Sequence, residues 1–173
     1  MTARAQRGTT LAVGIILLAL VTLLGLAGAS TAHVERQLAQ NELFRENAAS
    51  AASAGIEVAI RAIVTSPTPD AASTTASGRM PDSPERFETL TRFAGYELAL
   101  PQAPGAHLAG AHFEILSTGY ATRHAMERQR AAVMLVVEAP ASVAVPDCEP
   151  LTRAHCYQLG ELERLSWQRV PVE

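Results

Sequence analysis

Residues 7–32 read RGTTLAVGIILLALVTLLGLAGASTA, and this stretch decides the architecture. From Gly8 to Ala32 there is no charged side chain, and Leu11 to Leu26 is apolar or small throughout except for Thr22. About 20 such residues in a helix match the hydrocarbon thickness of a bilayer. Thr22 and the glycines at 14, 25 and 28 are compatible with that, because a helix satisfies its own backbone and Thr bonds back to a carbonyl one turn earlier. Arg4 and Arg7 precede the run, and no cation follows until Arg36. The positive-inside bias therefore puts the N-terminus in the cytoplasm and the rest of the chain beyond the membrane, in the periplasm if the cell is bacterial.

Working outward, the helical period continues past the apolar run. Val34, Leu38, Ala48, Ala52, Ile56, Ala59 and Ile63 recur at helical spacing on one face, while Arg36, Glu57 and Arg61 lie off it. Asn41 and Arg45 interrupt the stripe. Read from Thr9 to Val64 this is one helix of 56 residues, about 84 Å at 1.5 Å per residue. An ordinary globular helix averages about 11 or 12 residues, so such a length needs a reason.

Three fates fit the leading segment. A secretory signal peptide has a basic start, an apolar core and a small-residue cleavage site, which Ala27-Gly28-Ala29 supplies, leaving Ser30 first. A plain signal anchor would be kept whole. The third rests on Arg7-Gly8 followed by Thr9-Thr10-Leu11 and an unbroken apolar helix, which resembles the class III signal of type IV pilins and pseudopilins. The resemblance implies cleavage after Gly8 by a prepilin peptidase on the cytoplasmic side, retention of the helix, and N-methylation of the new first residue, Thr9. The chain departs from the major-pilin pattern in having Thr9 where Phe is usual and Val13 where Glu is usual, at the fifth mature position. In that family the carboxylate is held to neutralise the terminal ammonium of the subunit already in the fibre. A tip subunit has no predecessor, and an intramembrane carboxylate would cost about 2.5–3.5 kcal/mol there, so Val13 suits a tip or initiator position.

Residues 65–84, TSPTPDAASTTASGRMPDSP, offer almost nothing to bury and read as a loop. Pro67 ends the long helix. Asp82-Ser83-Pro84-Glu85 then reads as the cap of a short helix through Phe93, so 65–94 is expected to be an αβ-loop with one short helix. After Gly95 the period changes from 3.6 to 2: Tyr96, Leu98 and Leu100 alternate with polar or small residues, as do Phe113 and Ile115, and Val133, Leu135 and Val137 form one face of a third run. Thr118-Gly119-Tyr120 is expected to break the second strand, with 121–128 a polar hairpin into the third and an antiparallel meander as the result. Val143–Val145 and Leu165–Val170 would add edge strands. The stretch 112–121, HFEILSTGYA, with the apolar strand after it, resembles the Y-x-I-x-S-x-G strand of PilX-type minor pilins.

The chain has 14 arginines and no lysine in 173 residues, and a mean hydropathy of +0.10 whose apolar excess lies at the front. Beyond residue 30 it carries 12 arginines against 17 carboxylates, a sign opposite to that of nucleic-acid binders, so no nucleic-acid partner is expected. The arginines at 123, 128 and 130 are the one local exception that the sequence suggests. Cys148 and Cys156, in CEPLTRAHC, read as one disulfide in an oxidising compartment, worth about 2–3 kcal/mol on chain-entropy arithmetic. A metal site of Cys148, His155 and Cys156 lacks a separated fourth ligand, so no metal and no cofactor are expected. His33, His107, His112, His124 and His155 are scattered, and no nucleophile elbow, zincin helix, phosphate loop or dinucleotide fingerprint occurs. No enzymatic activity is expected. Glu114 and Glu138 read as solvent-facing, and Trp167 and Tyr157 either pack on the sheet or form a partner-facing patch.

The sequence therefore predicts an α+β, pilin-like lollipop: leader 1–8, membrane half of the helix 9–30, periplasmic half 31–64, αβ-loop 65–94, and an antiparallel sheet head 95–173 closed by the disulfide loop. The resemblance implies a minor pilin that sits in the bacterial inner membrane as prepilin and then joins the pilus tip. Its implied partners are other minor pilins, the major pilin, a tip adhesin, the prepilin peptidase and the inner-membrane assembly platform, with motility or adhesion as the outcome. A minor pseudopilin of a type II secretion system and a signal-anchored periplasmic binding domain are the alternatives.

Overall fold

A computed structural model describes residues 5–67, 73–98, 100, 101, 106–139 and 156–171, with side chains left aside at 5–10, 27 and 30. Helix α1 runs Ala5–Thr65 without interruption. It is followed by β1 (Thr74–Arg79), β2 (Arg86–Glu97), β3 (Leu108–Tyr120), a 3₁₀ turn (Thr122–His124), β4 (Met126–Glu138) and β5 (Leu162–Val170). The five strands form one antiparallel sheet in chain order, β1-β2-β3-β4-β5, so the fold class is α+β. The chain divides into two compact units, Met1–Leu43 and Phe44–Glu173.

In the first unit the helix has no core. Its large apolar side chains between Leu11 and Leu26 are 52–73% exposed, and Val34 and Leu38 are exposed as well. Thr22 Oγ1 donates to the Leu18 carbonyl at 2.6 Å, the local bond that lets a hydroxyl sit in an apolar helix.

In the second unit the expected stripe becomes the core. Ala48, Ala52, Ile56, Ala59 and Ile63 are all buried, joined by Ala49, Ala51 and Ile60. The isoleucines pack on Ala111, Phe113 and Ile115 of β3 and on Ala131, Val133 and Leu135 of β4, with Phe93, Tyr96, Val137 and Leu162 at the margin. Burying each large aliphatic side chain contributes about 1.5–3 kcal/mol, which holds the helix to the sheet. A second cluster of Leu100, Leu108, Met134 and Val136 lies on the opposite face of β4, as period 2 requires. Both faces of β4 are thus apolar, the pattern that the run from Ala131 to Val137 predicted.

Three expectations are corrected. The strand read over Tyr96, Leu98 and Leu100 lies mostly earlier, since β2 stops at Glu97 and leaves Leu98 and Leu100 beyond it, where Leu100 packs into the second cluster. Residues 82–93 do not form the short helix expected within 65–94: a turn and most of β2 lie there, after β1. Asp82, Ser83 and Pro84 make the turn between them, with Asp82 at φ 55° and Met80 N–H donating to the Glu85 carbonyl at 2.9 Å. Asp, Ser and Pro serve caps and turns alike, and the alternation Phe87, Thr89, Thr91, Phe93 that follows decides for a strand. β3 also does not break at Thr118–Tyr120, since Gly119 is paired on both sides, with Phe87 and with Glu127. The hairpin after it closes by Ala121 N–H to the Ala125 carbonyl at 2.8 Å, and β4 already starts at Met126. The expected edge strand at 165–170 is part of β5, whereas 143–145 lies outside the described residues.

Candidate functional site

Gly8, Thr9 and Val13 all lie in α1, and Val13 is 56% exposed. Leu11 to Leu26 offers apolar side chains on every face of the helix, and none of the most apolar window is buried. It is the one described helix long and apolar enough to cross a membrane. A helix apolar all round is stable where hydrocarbon or other helices surround it, not in water.

The seam between the second half of α1 and the sheet is built for close approach. A β-carbon at Gly119 would meet the Ala48 carbonyl oxygen and the Ala52 nitrogen, so β3 touches the helix backbone itself. Gly55 performs the reciprocal service: a β-carbon there would meet Ser117 Oγ, Thr89 and Phe87. Small residues on both sides bring the helix axis nearer the sheet than Leu or Ile would allow. Ser117 Oγ, fully buried against Gly55, has no hydrogen-bond partner among the described residues.

A polar network then pins β4 and β5 to the same stretch of helix. Gln129 is buried and donates from Nε2 to the Ala49 carbonyl at 3.1 Å. Its Oε1 accepts from Ser53 Oγ at 3.0 Å and from Trp167 Nε1 at 2.8 Å. One turn of helix further on, Glu57 holds Arg164 of β5 through two bonds of 2.9 and 3.0 Å. The sequence did not announce Gln129, because in MERQRAAV it reads as hairpin polarity until the register places it under the helix.

The two aromatic residues considered as a patch are separated. Trp167 lies beside Ala131 on the helix side, while Tyr157 packs against the second cluster and donates to Glu163 Oε2 at 2.8 Å. That bond, then burial and the carboxylates of Glu163, Glu161 and Glu97, raise the Tyr157 phenol above its ordinary value. Burial, followed by a 3.0 Å bond to Glu88, raises Tyr120 likewise.

Each of the three arginines is engaged separately, although Arg128 and Arg130 share one face of β4. Arg123 sits in the turn at φ 57° over the Phe44 ring, Arg128 donates to Thr118, and Arg130 pairs with Glu114 at 3.1 Å. His33 contacts Gln37 and His112 contacts Glu97. Among the described residues there is no group of three or more His, Cys, Asp or Glu arranged to hold a metal ion. Cys156 is disulfide-bonded, and Cys148, like His155, lies outside the described residues.

Searches against protein-family models, curated proteins and solved structures found no match for this chain.

Proposed function

We propose that the chain is a minor pilin of the type IV pilus, a tip component that primes fibre assembly and does not itself catalyse a reaction. The observation that carries this reading is the two-part character of α1. It is uninterrupted from Ala5 to Thr65, bare of packing over Leu11–Leu26, and buried along one face from Ala48 to Ile63. A discarded signal peptide has no need to continue into the core helix of the domain it delivers. A subunit that must first sit in a membrane and then in a fibre does.

In this account the prepilin spans the bacterial inner membrane with its N-terminus cytoplasmic, is cut after Gly8, and is methylated at Thr9. The apolar half then leaves lipid for neighbouring helices. Little hydrophobic free energy changes in that exchange, since hydrocarbon and aliphatic side chains are similarly apolar, so packing decides it. Val13 carries no charge into this step and suits a subunit with no predecessor. Other minor pilins, the major pilin and a tip adhesin are the partners that the resemblance supplies.

Deletion of the gene and complementation with the full chain test the reading. Loss of surface pili and twitching, restored by the wild type but not by a chain with Gly8 replaced, is the expected result. Loss of exoprotein secretion with pili intact would move the protein to a type II secretion pseudopilus, whose minor subunits also tend to lack Glu at the fifth position.

A further inference from the structure

The two edges of the sheet differ in how they meet solvent. At one edge, the register of β5 against β4 shifts between Ala132 and Val133, and Glu163, Arg164 and Arg169 put charge along the strand. A bulge and charged side chains keep an edge strand from pairing with another chain. At the other edge, β1 pairs with β2 in unbroken register from Thr74 to Arg79, with no proline and no charge before Arg79. Nothing of that protective kind guards it.

Residues of an antiparallel pair alternate between those that bond across to the neighbour and those that do not. Met80 N–H donates to the Glu85 carbonyl at 2.9 Å, and the Ala76 carbonyl accepts from Thr89 Oγ1 at 3.2 Å. By that alternation Thr74, Ala76 and Gly78 face β2, whereas Thr75, Ser77 and Arg79 turn their backbone N–H and C=O groups to the free edge. Among the described residues none of these outward groups has a partner.

Two features beside the edge specify what fits it. On the helix side is a cavity of about 240 Å³, walled by Ala62 and Ile63 of α1 and by Phe93 and Phe113, with Thr74 as its one residue from β1. An aliphatic side chain on a strand laid along β1 would enter the sheet's helix side next to Thr74. On the opposite face, Arg79 is exposed and has no ion pair or hydrogen bond among the described residues, while Arg86 beside it is held by Glu88 at 2.8 Å. A carboxylate directly across from Arg79 supplies the missing counter-charge.

We propose that β1 receives an extended segment of a partner protein as a sixth, antiparallel strand, with a carboxylate opposite Arg79 and, five residues further along the segment, an aliphatic side chain opposite Thr74. Main-chain bonds at Thr75, Ser77 and Arg79 supply the affinity, and the alternating side chains supply the selectivity. The antiparallel sense follows the rest of the sheet, in which every pair is antiparallel. The inference stands on the sheet alone and is independent of the pilin reading.

The fluorescein-labelled octapeptide SEVTVTLS, titrated with the full-length chain in detergent, tests it by anisotropy. Saturable binding is expected, and SKVTVTLS, which differs in one charge, binds about fivefold to tenfold more weakly. Ser77→Pro removes an outward N–H without taking a bond from β2, so it abolishes binding while the chain keeps its Tm within about 3 °C. Arg79→Glu reverses the preference between the two peptides, which a folding defect cannot do. Amide exchange at Thr75, Ser77 and Arg79 is fast in the free chain and slows in the complex. Failure of both peptides to bind, an unchanged preference in Arg79→Glu, or binding by a folded Ser77→Pro would overturn the proposal. So would slow exchange at these amides in the free chain, whether the cover is a second copy or the chain itself.

Discussion

Gly119 and Ser117, two residues apart on the same face of β3, carry opposite predictions. A side chain at Gly119 would run into helix backbone, which cannot rotate away as a side chain can. Gly119→Ala therefore costs about 1–3 kcal/mol by overpacking, and Gly119→Val more, read from urea unfolding of the chain. Gly110→Ala is the control, since the group it meets is the flexible end of Met134. Ser117→Ala acts the other way: its hydroxyl is buried without a partner, so removing it stabilises by about 1 kcal/mol. The phenols add a pH dependence. Tyr120 and Tyr157 both have folded pKa values raised above the ordinary value near 10, so their contribution is complete below pH 10 and is lost as pH climbs through the folded values. Replacing both by Phe should flatten the stability curve in that alkaline window, while near pH 7 it removes the two hydrogen bonds and leaves only the slope of the curve unchanged.

At the level of elements, β5 depends on Gln129 and Arg164 more than on apolar area, for most of its residues are exposed. Gln129→Ala leaves Trp167 Nε1 and the Ser53 hydroxyl without their shared acceptor, at a cost of about 1–3 kcal/mol. Amide exchange should quicken first along β5, and an unchanged pattern there would remove the pinning role. Elements held by periodicity were legible in advance: the stripe from Ala48 to Ile63, the strand around Phe113, and the doubly apolar run at 131–137. β1 and β2 were not, because Thr, Ser, Gly and Arg in 74–79 carry no apolar alternation and Asp82-Ser83-Pro84 is equally a cap and a turn. The same blindness covers Gln129. A polar residue on a strand reads as solvent-facing until the pairing partner fixes which face it occupies.

Taken whole, the molecule joins one helix segment that needs an apolar surrounding to a helix segment that already has its core. The bare surface over Leu11–Leu26 predicts that the full chain stays with membranes through an alkaline wash and is released only by detergent. The most direct test of the central claim is the N-terminal sequence and intact mass of the protein taken from its native membranes. A chain beginning at Thr9, with or without an added methyl group, is the predicted result. A chain beginning at Ser30 would make the apolar segment a discarded signal peptide, an intact Met1 would make it a plain anchor, and either would contradict the account.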